Sequence, residues 1–366
     1  VKEDDLLALL ELLSVPGIGP GRIRRLLAKF RSPSLILEAG LFDLLGVEGI
    51  DRVLAELILK KRNRQFAERQ LEICRREGID LLTVLDPGYP ENLKEVSDAP
   101  VLLYLRGSLR KDDRAAVAVV GTRMPSSYGR SAAERITREL VQHGLTIVSG
   151  LARGIDTVAH RSALANGGRT LAVLGCGLDR IYPPENRKIA ERITESGALI
   201  SEFPCGTGPD AGNFPRRNRI ISALSLGVLI VEAGEKSGAL ITADTALDQG
   251  REVFAVPGEI FNSRARGTNR LIQQGAKLVQ SAADILEELS YRLPIQNEEK
   301  PAVSPVPPDL SEKEKRILEM LSEKPVHIDA ICQHTGFSPP EALSLLLTLE
   351  LKQLVRQLAG KLFVRT

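Results

Sequence analysis

The spacing of apolar residues changes twice along this chain: a helical period gives way to short apolar runs alternating with helical stretches, and then returns. Residues 6–13 read Leu-Leu-Ala-Leu-Leu-Glu-Leu-Leu and stop at Val15-Pro16-Gly17-Ile18-Gly19-Pro20-Gly21, after which helical spacing resumes with Ile23, Leu26 and Leu27. This predicts helix, tight hairpin, helix, with further helices to about residue 77. From Ile79 the texture becomes extended, through Leu-Leu-Thr-Val, the turn Asp86-Pro87-Gly88-Tyr89-Pro90, and Val101 to Leu105 before Gly107. Between 117 and 290, short Val- and Ile-rich runs alternate with helical patterns. They lie at 117–120, 146–148, 171–174, 199–201, 228–231 and 253–256. Six such runs bounded by glycine predict a Rossmann-like, doubly wound α/β domain with a mostly parallel sheet covered on both faces. The stretch 127–142, with Ala133, Ile136, Leu140 and Val141 on one face, is the kind of crossover helix this needs.

Residues 291–308 hold five prolines and few apolar residues, the composition of a semi-rigid linker. Ser311 with Glu314 three residues on predicts a capping box. Helical patterns follow at 317–321, 328–334 and 340–351, then a hairpin at 354–364, together a winged helix. The expected organisation is a helical SAM-like, helix-hairpin-helix domain at 1–77, a Rossmann-like domain at 78–290, a linker at 291–308 and a winged helix at 309–366.

The 366 residues suit more than one domain, and 43% hydrophobic with 26% charged residues exclude global disorder. No apolar run approaches the length of a membrane helix, and the chain opens on Lys2, Glu3, Asp4 and Asp5, so a cytoplasmic protein is expected. Cys74, Cys176, Cys205 and Cys332 show no paired spacing, which suggests reduced core thiols and no metal site. Net charge is only +2, nearly balanced within each part of the chain, so a nucleic-acid site must arise from local placement of Arg and Lys. Aromatics are 4% with no Trp, leaving any base-stacking surface to one or two Phe or Tyr.

Two clusters combine glycine with arginine. In the first, the 15–21 hairpin resembles a helix-hairpin-helix motif whose backbone N–H groups face a phosphate, with Arg22, Arg24 and Arg25 nearby. A purely structural turn between packed helices fits it equally, and Glu48 in the related Gly46-Val-Glu-Gly-Ile stretch argues for structure there. The second cluster is spread over loops at the C-terminal ends of successive strands, where open α/β sheets bind ligands. These are Gly121-Thr122-Arg123, Ser149-Gly150 with Arg153-Gly154 and Asp156, Gly175-Cys176-Gly177, 203–219, and 233–242 with Ser237, Gly238 and Thr242. Small residues, hydroxyls and arginines recurring at one end of the sheet suit an anion. Phe214-Pro215-Arg216-Arg217-Asn218-Arg219 places three arginines at a helix N-terminus, which is costly unless a polyanion binds there with Phe214 as a stacking platform. Salt bridges to Glu202 or Asp210 are the alternative.

Several enzyme classes lack their motifs. There is no Walker A loop and no G-x-S-x-G elbow, and Arg180 occupies the place of the third glycine after Gly175-Cys176-Gly177 in a dinucleotide fingerprint. No bound cofactor is expected. Asp156 and His160, four apart on a helix, form at most an acid–base pair and more commonly a helix-surface hydrogen bond.

Together, Val120-Gly-Thr-Arg123, Ser149-Gly-Leu-Ala-Arg-Gly-Ile-Asp156, Phe214 to Ile221, Ser237-Gly-Ala-Leu-Ile-Thr242 and Gly267-Thr-Asn-Arg-Leu-Ile272 resemble, in order and spacing, the DNA-processing protein A family (DprA, or Smf) over about 79–290. The basic residue that some members carry just before the Phe is replaced here by Asp210 to Asn213. The resemblance implies a non-enzymatic protein of natural transformation and recombination that binds single-stranded DNA and loads RecA recombinase past single-strand-binding protein. It implies phosphate contacts from Arg123, Arg217 and Arg219, a base on Phe214, and a homodimer; we expect its interface near Leu271, Ile272 and Leu278, although completion of the monomer core explains the same apolar residues. The rival class is a LOG-like phosphoribohydrolase, whose P-G-G-x-G-T-x-x-E loop is here Glu232 to Ile241 without the catalytic Glu at that spacing. A ligand-sensing regulator whose winged helix reads duplex DNA is a third class, disfavoured because 339–351 contains Glu341 and Glu350 and no Arg.

Overall fold

The computed structural model describes residues 2–293, 310–321, 326–352, 354–358 and 360–365. They form two compact units, Val1–Pro294 and Ile295–Thr366.

The first unit opens with α1 (Glu3–Leu13), α2 (Pro20–Phe30), α3 (Pro33–Glu38), α4 (Leu41–Leu45), α5 (Arg52–Lys60) and α6 (Arg64–Glu77). Local chemistry sets their ends: the side chains of Ser32, Asp51 and Asn63 accept the orphan N–H groups of Leu35, Leu54 and Phe66. Gly78, in the left-handed region at φ 60°, ends α6. The leucine-rich faces of these helices bury Leu9, Leu10, Ile23, Leu26 and Ile58 in the same apolar cluster as Val101, Leu102, Tyr104, Leu174 and Leu199 from the sheet region. Residues 1–77 and the sheet therefore share one core.

That sheet has nine strands: β1 (Asp80–Thr83), β2 (Leu102–Gly107), β3 (Ala116–Val120), β4 (Thr146–Ser149), β5 (Thr170–Val173), β6 (Ala198–Ser201), β7 (Gly227–Ile230), β8 (Glu252–Ala255) and β9 (Lys277–Leu278). Their order is β1-β2-β6-β5-β4-β3-β7-β8-β9. The run from β6 to β9 is parallel; β2 pairs antiparallel with β6, and β1 pairs antiparallel with β2. The six apolar runs of the sequence are β3 to β8, each within one residue of its expected bounds. β9 had no signal, since two residues are too short for any period to show.

One face is covered by α8 (Ser127–Gln142), α9 (Ile155–Ala165) and α14 (Ala282–Leu289), whose Ala133, Ile136, Leu140, Ala159 and Ile285 are buried against it. The other carries α11 (Asn213–Ala223), α12 (Gly238–Asp248) and α13 (Arg266–Gln273). The short α7 (Glu91–Lys94) and α10 (Arg187–Ser196) complete the unit. The chain winds from β3 toward β6 on one side and from β7 toward β9 on the other, so the switch point lies beside β3.

The expected interface residues divide. Leu271 is 5% exposed in the core beneath α13, and neighbouring Val279 is fully buried, so the monomer core claims both. Ile272 is half-buried, and Leu278 on β9 is 41% exposed.

The second unit holds α15 (Glu312–Met320), β10 (Val326–His327), α16 (Ile328–Thr335), α17 (Pro339–Leu351), β11 (Val355–Leu358) and β12 (Leu362–Arg365), with sheet order β10-β12-β11. Three helices and this small sheet enclose Ile317, Ile331, Leu346, Leu349 and Phe363, the core of a winged helix. The capping box is present: Glu314 N donates to Ser311 Oγ at 3.3 Å and Ser311 N to Glu314 Oε2 at 2.7 Å. The expected linker lies outside the described residues from 294 onward. Among the described residues, no helix is long and apolar enough to cross a membrane.

Candidate nucleic-acid interface

At the C-terminal edge of the sheet, backbone hydrogen bonds stitch three loops together. Thr122 N donates to Glu232 O at 2.7 Å, joining the turn after β3 to the loop after β7, and Ile155 N donates to Thr122 O at 3.2 Å, joining it to the start of α9. Ser149 Oγ donates to Val119 O at 2.7 Å, holding the end of β4 against β3. Glu232 itself is used locally, its carboxylate accepting from the N–H and hydroxyl of Ser126, each at 2.8 Å. Two glycines make the junction possible. Gly154 stands at φ 79°, and a Cβ on Gly150 would lie about 2.5 Å from the Arg217 guanidinium.

Above this junction opens a cavity of about 660 Å³. The first turns of α9, α11 and α12 face it through Asp156, Phe214 and Ser237, so three helix N-termini add partial positive charge. Its floor is Arg217, only 4% exposed, with one nitrogen donating to Gly150 O at 2.7 Å and also to Val173 O. Burial pulls the Arg217 pKa down to about 10, and the Asp156 carboxylate acts in the opposite direction. Burial raises the pKa of Asp156, with Arg217 and two backbone donors, Gly150 N at 3.1 Å and Ala152 N at 3.3 Å, opposing it. The floor is thus a guanidinium held by carbonyls near a carboxylate held by amides.

The rim differs. Arg123, Lys236 and Arg264 line the cavity, are exposed, and have no ion pair among the described residues. The Phe214 ring lies on Gly175, with the Arg123 guanidinium carbon 5.3 Å from its centroid, that of Arg217 at 6.0 Å, and the Tyr182 ring centroid at 6.0 Å. The arrangement offers unneutralised cations, helix dipoles and one aromatic ring around a single concavity, which suits a polyanion carrying flat bases.

The candidate residues from the sequence separate accordingly. Gly121, Thr122, Arg123, Phe214, Arg217, Asn218, Ser237, Gly238 and Thr242 all line this cavity. Gly150 and Arg153 line an adjoining recess with Arg123, Phe214 and Tyr182, and the Arg153 side chain is paired with Glu185. Ser149 and Gly154 lie behind the lining as supports. Arg216 is exposed over the Phe203 ring at 5.3 Å. Arg219 turns away: it pairs with Glu202, donates to Asp98 O, and is 14% exposed. α11 turns that side chain toward the buried Glu202 carboxylate, the salt bridge that the sequence offered as the alternative to a phosphate contact. Lys236 and Arg264 were not singled out in the sequence; Lys236 sits inside the 233–242 loop and Arg264 three residues before Gly267, but only the folded loops bring them together.

Other candidates have partners within the fold. Arg22 donates to Gly17 O at 2.7 Å and Gly49 O at 3.0 Å, bolting the two hairpins of the helical region together, and Arg24 donates to Val96 O at 2.8 Å. Asp156 and His160 do not bond each other. His160 is fully buried, its Nδ1 lies 2.7 Å from Thr170 Oγ1, and burial lowers its pKa to about 3. Burial also pushes the Cys176 thiol up to about 11, which keeps it protonated at neutral pH. In the winged helix, Glu341 on α17 pairs with Lys313 at 2.7 Å.

Known proteins match this chain along most of its length. The family model for DNA recombination-mediator protein A matches residues 80–290, a DprA winged-helix model matches 300–361, and a SAM-like helix-hairpin-helix tandem matches 9–63. The chain is 36% identical to Protein Smf of Synechocystis sp. over 96% of both chains. It is 44% identical to DNA processing protein DprA of Bacillus subtilis over 64% of this chain and 80% of that one. The X-ray structure of DNA processing protein A from Streptococcus pneumoniae superposes with a TM-score of 0.68 at 36% identity, covering 77% of this chain and 97% of that one. DNA processing protein A from Helicobacter pylori, whose structure was described for its single-stranded DNA binding mode, gives a TM-score of 0.53 at 32% identity, covering 58% of this chain and 96% of that one. With its central domain, winged helix and helical tandem all matched, the chain belongs to the DNA recombination-mediator protein A family.

Proposed function

We propose that the cavity binds single-stranded DNA without reading its sequence. The observation that carries this reading is the set of three exposed cations, Arg123, Lys236 and Arg264, without an ion pair among the described residues and grouped with the Phe214 ring over three helix N-termini. Cations neutralise phosphates and a ring accepts any base, whereas a concavity of about 660 Å³ has no ridge to enter a duplex groove. The described binding mode of the Helicobacter pylori relative supports the assignment. Fluorescence anisotropy with labelled single and double strands of equal length, titrated in salt, tests it. Single strands should bind more tightly, with affinity falling as salt rises; equal affinity for duplex and single strand would overturn the reading.

From this binding follows the mediator role. The chain holds a single strand in reach of RecA recombinase, so that RecA assembles where single-strand-binding protein is displaced, and it contributes placement and not chemistry. A homodimer presents two such cavities. Among the residues expected at its interface, Leu278 on the open edge strand β9 is the exposed one, and Leu278→Arg should yield a folded monomer by size-exclusion chromatography. RecA assembly on strands coated with single-strand-binding protein should rise on addition of the intact protein. Nucleoside monophosphate hydrolysis at an enzymatic rate, ~1–10³ per second, would overturn the non-catalytic role.

A further inference from the structure

Phosphate binding accounts for the cations at the rim of the cavity but not for the loop at 257–265 that supplies one of them. The base of this loop is fixed. The Asn269 side chain accepts from Gly258 N at 3.1 Å and donates to Gly258 O at 2.9 Å, and Tyr128 OH donates to Pro257 O at 2.8 Å. Its tip is also fixed: Asn262 N donates to Glu259 O and Ala265 N to Asn262 O, each at 3.0 Å, while the Asn262 side chain accepts from Arg264 N at 3.0 Å. These local bonds fix the backbone from which the tip side chains project. Those side chains are Ile260, 75% exposed, and Phe261, 90% exposed. Ser263 and Arg264, which follow directly, line the cavity. Phe261 is two residues from Ser263, at most about 7 Å along the chain.

We propose that Phe261 is a second base-stacking platform, receiving a base of the strand as it leaves the cavity past Arg264. This rests on the single-strand reading above and extends it from a pocket to a path. A cavity of small-molecule size holds only a short piece of a polymer, so the rest of the strand must cross the rim. Arg264 lines that rim, and the exposed ring of Phe261 stands three residues before it on the same loop, a cation and an aromatic as in the Arg123 and Phe214 pair within. A phosphate beside Arg264 brings the adjoining base to the level of Phe261. The loop backbone that carries the ring is already held by its own hydrogen bonds, so little chain ordering opposes the contact. Stacking accepts every base, in keeping with binding that ignores sequence.

The chain contains no Trp, so Phe261→Trp introduces a single indole whose fluorescence reports on that position alone. Adding oligothymidylate at low salt should quench it, and a long oligonucleotide should quench it more than a dinucleotide. Phe261→Ala should weaken oligothymidylate binding about tenfold while leaving the salt dependence unchanged, since no charge is lost. Phe261→Leu, apolar but without a π face, should weaken binding as well. If wild-type protein binds oligothymidylate while the indole stays unquenched and Phe261→Ala binds normally, this proposal fails and the cavity assignment survives. If wild-type protein binds no single strand, both fail. A change in self-association of Phe261→Ala with DNA affinity unaltered would mark the loop as a protein contact and overturn the proposal.

Discussion

Two parts of this chain combine arginine with closely spaced glycine, and the fold uses them in opposite ways. Beside the hairpin between α1 and α2, Arg22 and Arg24 on the first turns of α2 satisfy backbone carbonyls of Gly17, Gly49 and Val96. At the sheet's C-terminal edge, Arg123, Lys236 and Arg264 stand around a concavity with no acidic partner among the described residues. The same residue types are mortar in one place and an open anion site in the other. What separates them is whether a carbonyl or carboxylate already lies within reach, and that depends on tertiary neighbours. The cavity repeats the contrast within itself, with Arg217 as floor and Arg123 as rim.

The largest effect should come from the floor. Arg217→Met removes a buried charge and leaves Asp156 and two carbonyls uncompensated, so stability should fall by about 3–5 kcal/mol in chemical denaturation. A variant as stable as wild type would show that floor and rim do not differ.

Next is the pH dependence beneath the floor. His160 has its pKa lowered by burial from about 6.5 to about 3, so the unfolded chain binds its proton first. Stability should therefore be lost as pH falls through this window, by up to ~1.4 kcal/mol per pH unit. Asp156 acts with the opposite sign: its pKa is raised, the folded state takes up its proton first, and acidification relieves part of the loss. His160→Gln should flatten the decline between pH 6 and pH 4, measured as denaturant midpoints; an identical slope would remove His160 as its source.

The rim should show a smaller effect of another kind. Arg123→Ala should weaken single-strand binding by about tenfold and reduce the salt slope by roughly one charge, with stability changed by less than ~0.5 kcal/mol. Smallest is the hairpin: Arg22→Ala should lower stability by ~1 kcal/mol through two lost hydrogen bonds and leave single-strand affinity unaltered. A drop in affinity there, with no drop in stability, would make the hairpin a second DNA contact and erase the contrast.

Much of this was readable from the chain itself. Fully buried parallel strands carry unbroken Val and Ile runs, so β3 to β8 stood out, and four of the five ordered motifs supply residues that line the cavity. The direction of each arginine was not readable. Residues 216, 217 and 219 are near neighbours on one helix, yet one lies over Phe203, one under Gly150 and one against Glu202. Helical rotation sends them apart, and their partners come from segments far away in sequence. Leu271 and Leu278 illustrate the same limit. Both are apolar, but α13 turns the first into the core while β9 leaves the second at an open edge.

The core shared by the helices of residues 1–77 and the sheet bears on how this protein is taken apart. Gln70 on α6 accepts from Cys205 N at 2.9 Å and donates to Cys205 O at 3.1 Å, pairing with that segment as a neighbouring strand would. Leu174, Leu199 and Tyr104 lie in the cluster those helices cover. A fragment beginning after residue 77 would meet water with a broad greasy flank and with the Cys205 backbone stripped of its Gln70 side-chain partner, and should clump before any DNA is offered to it. What resembles a detachable accessory on paper therefore behaves as the roof over half the house.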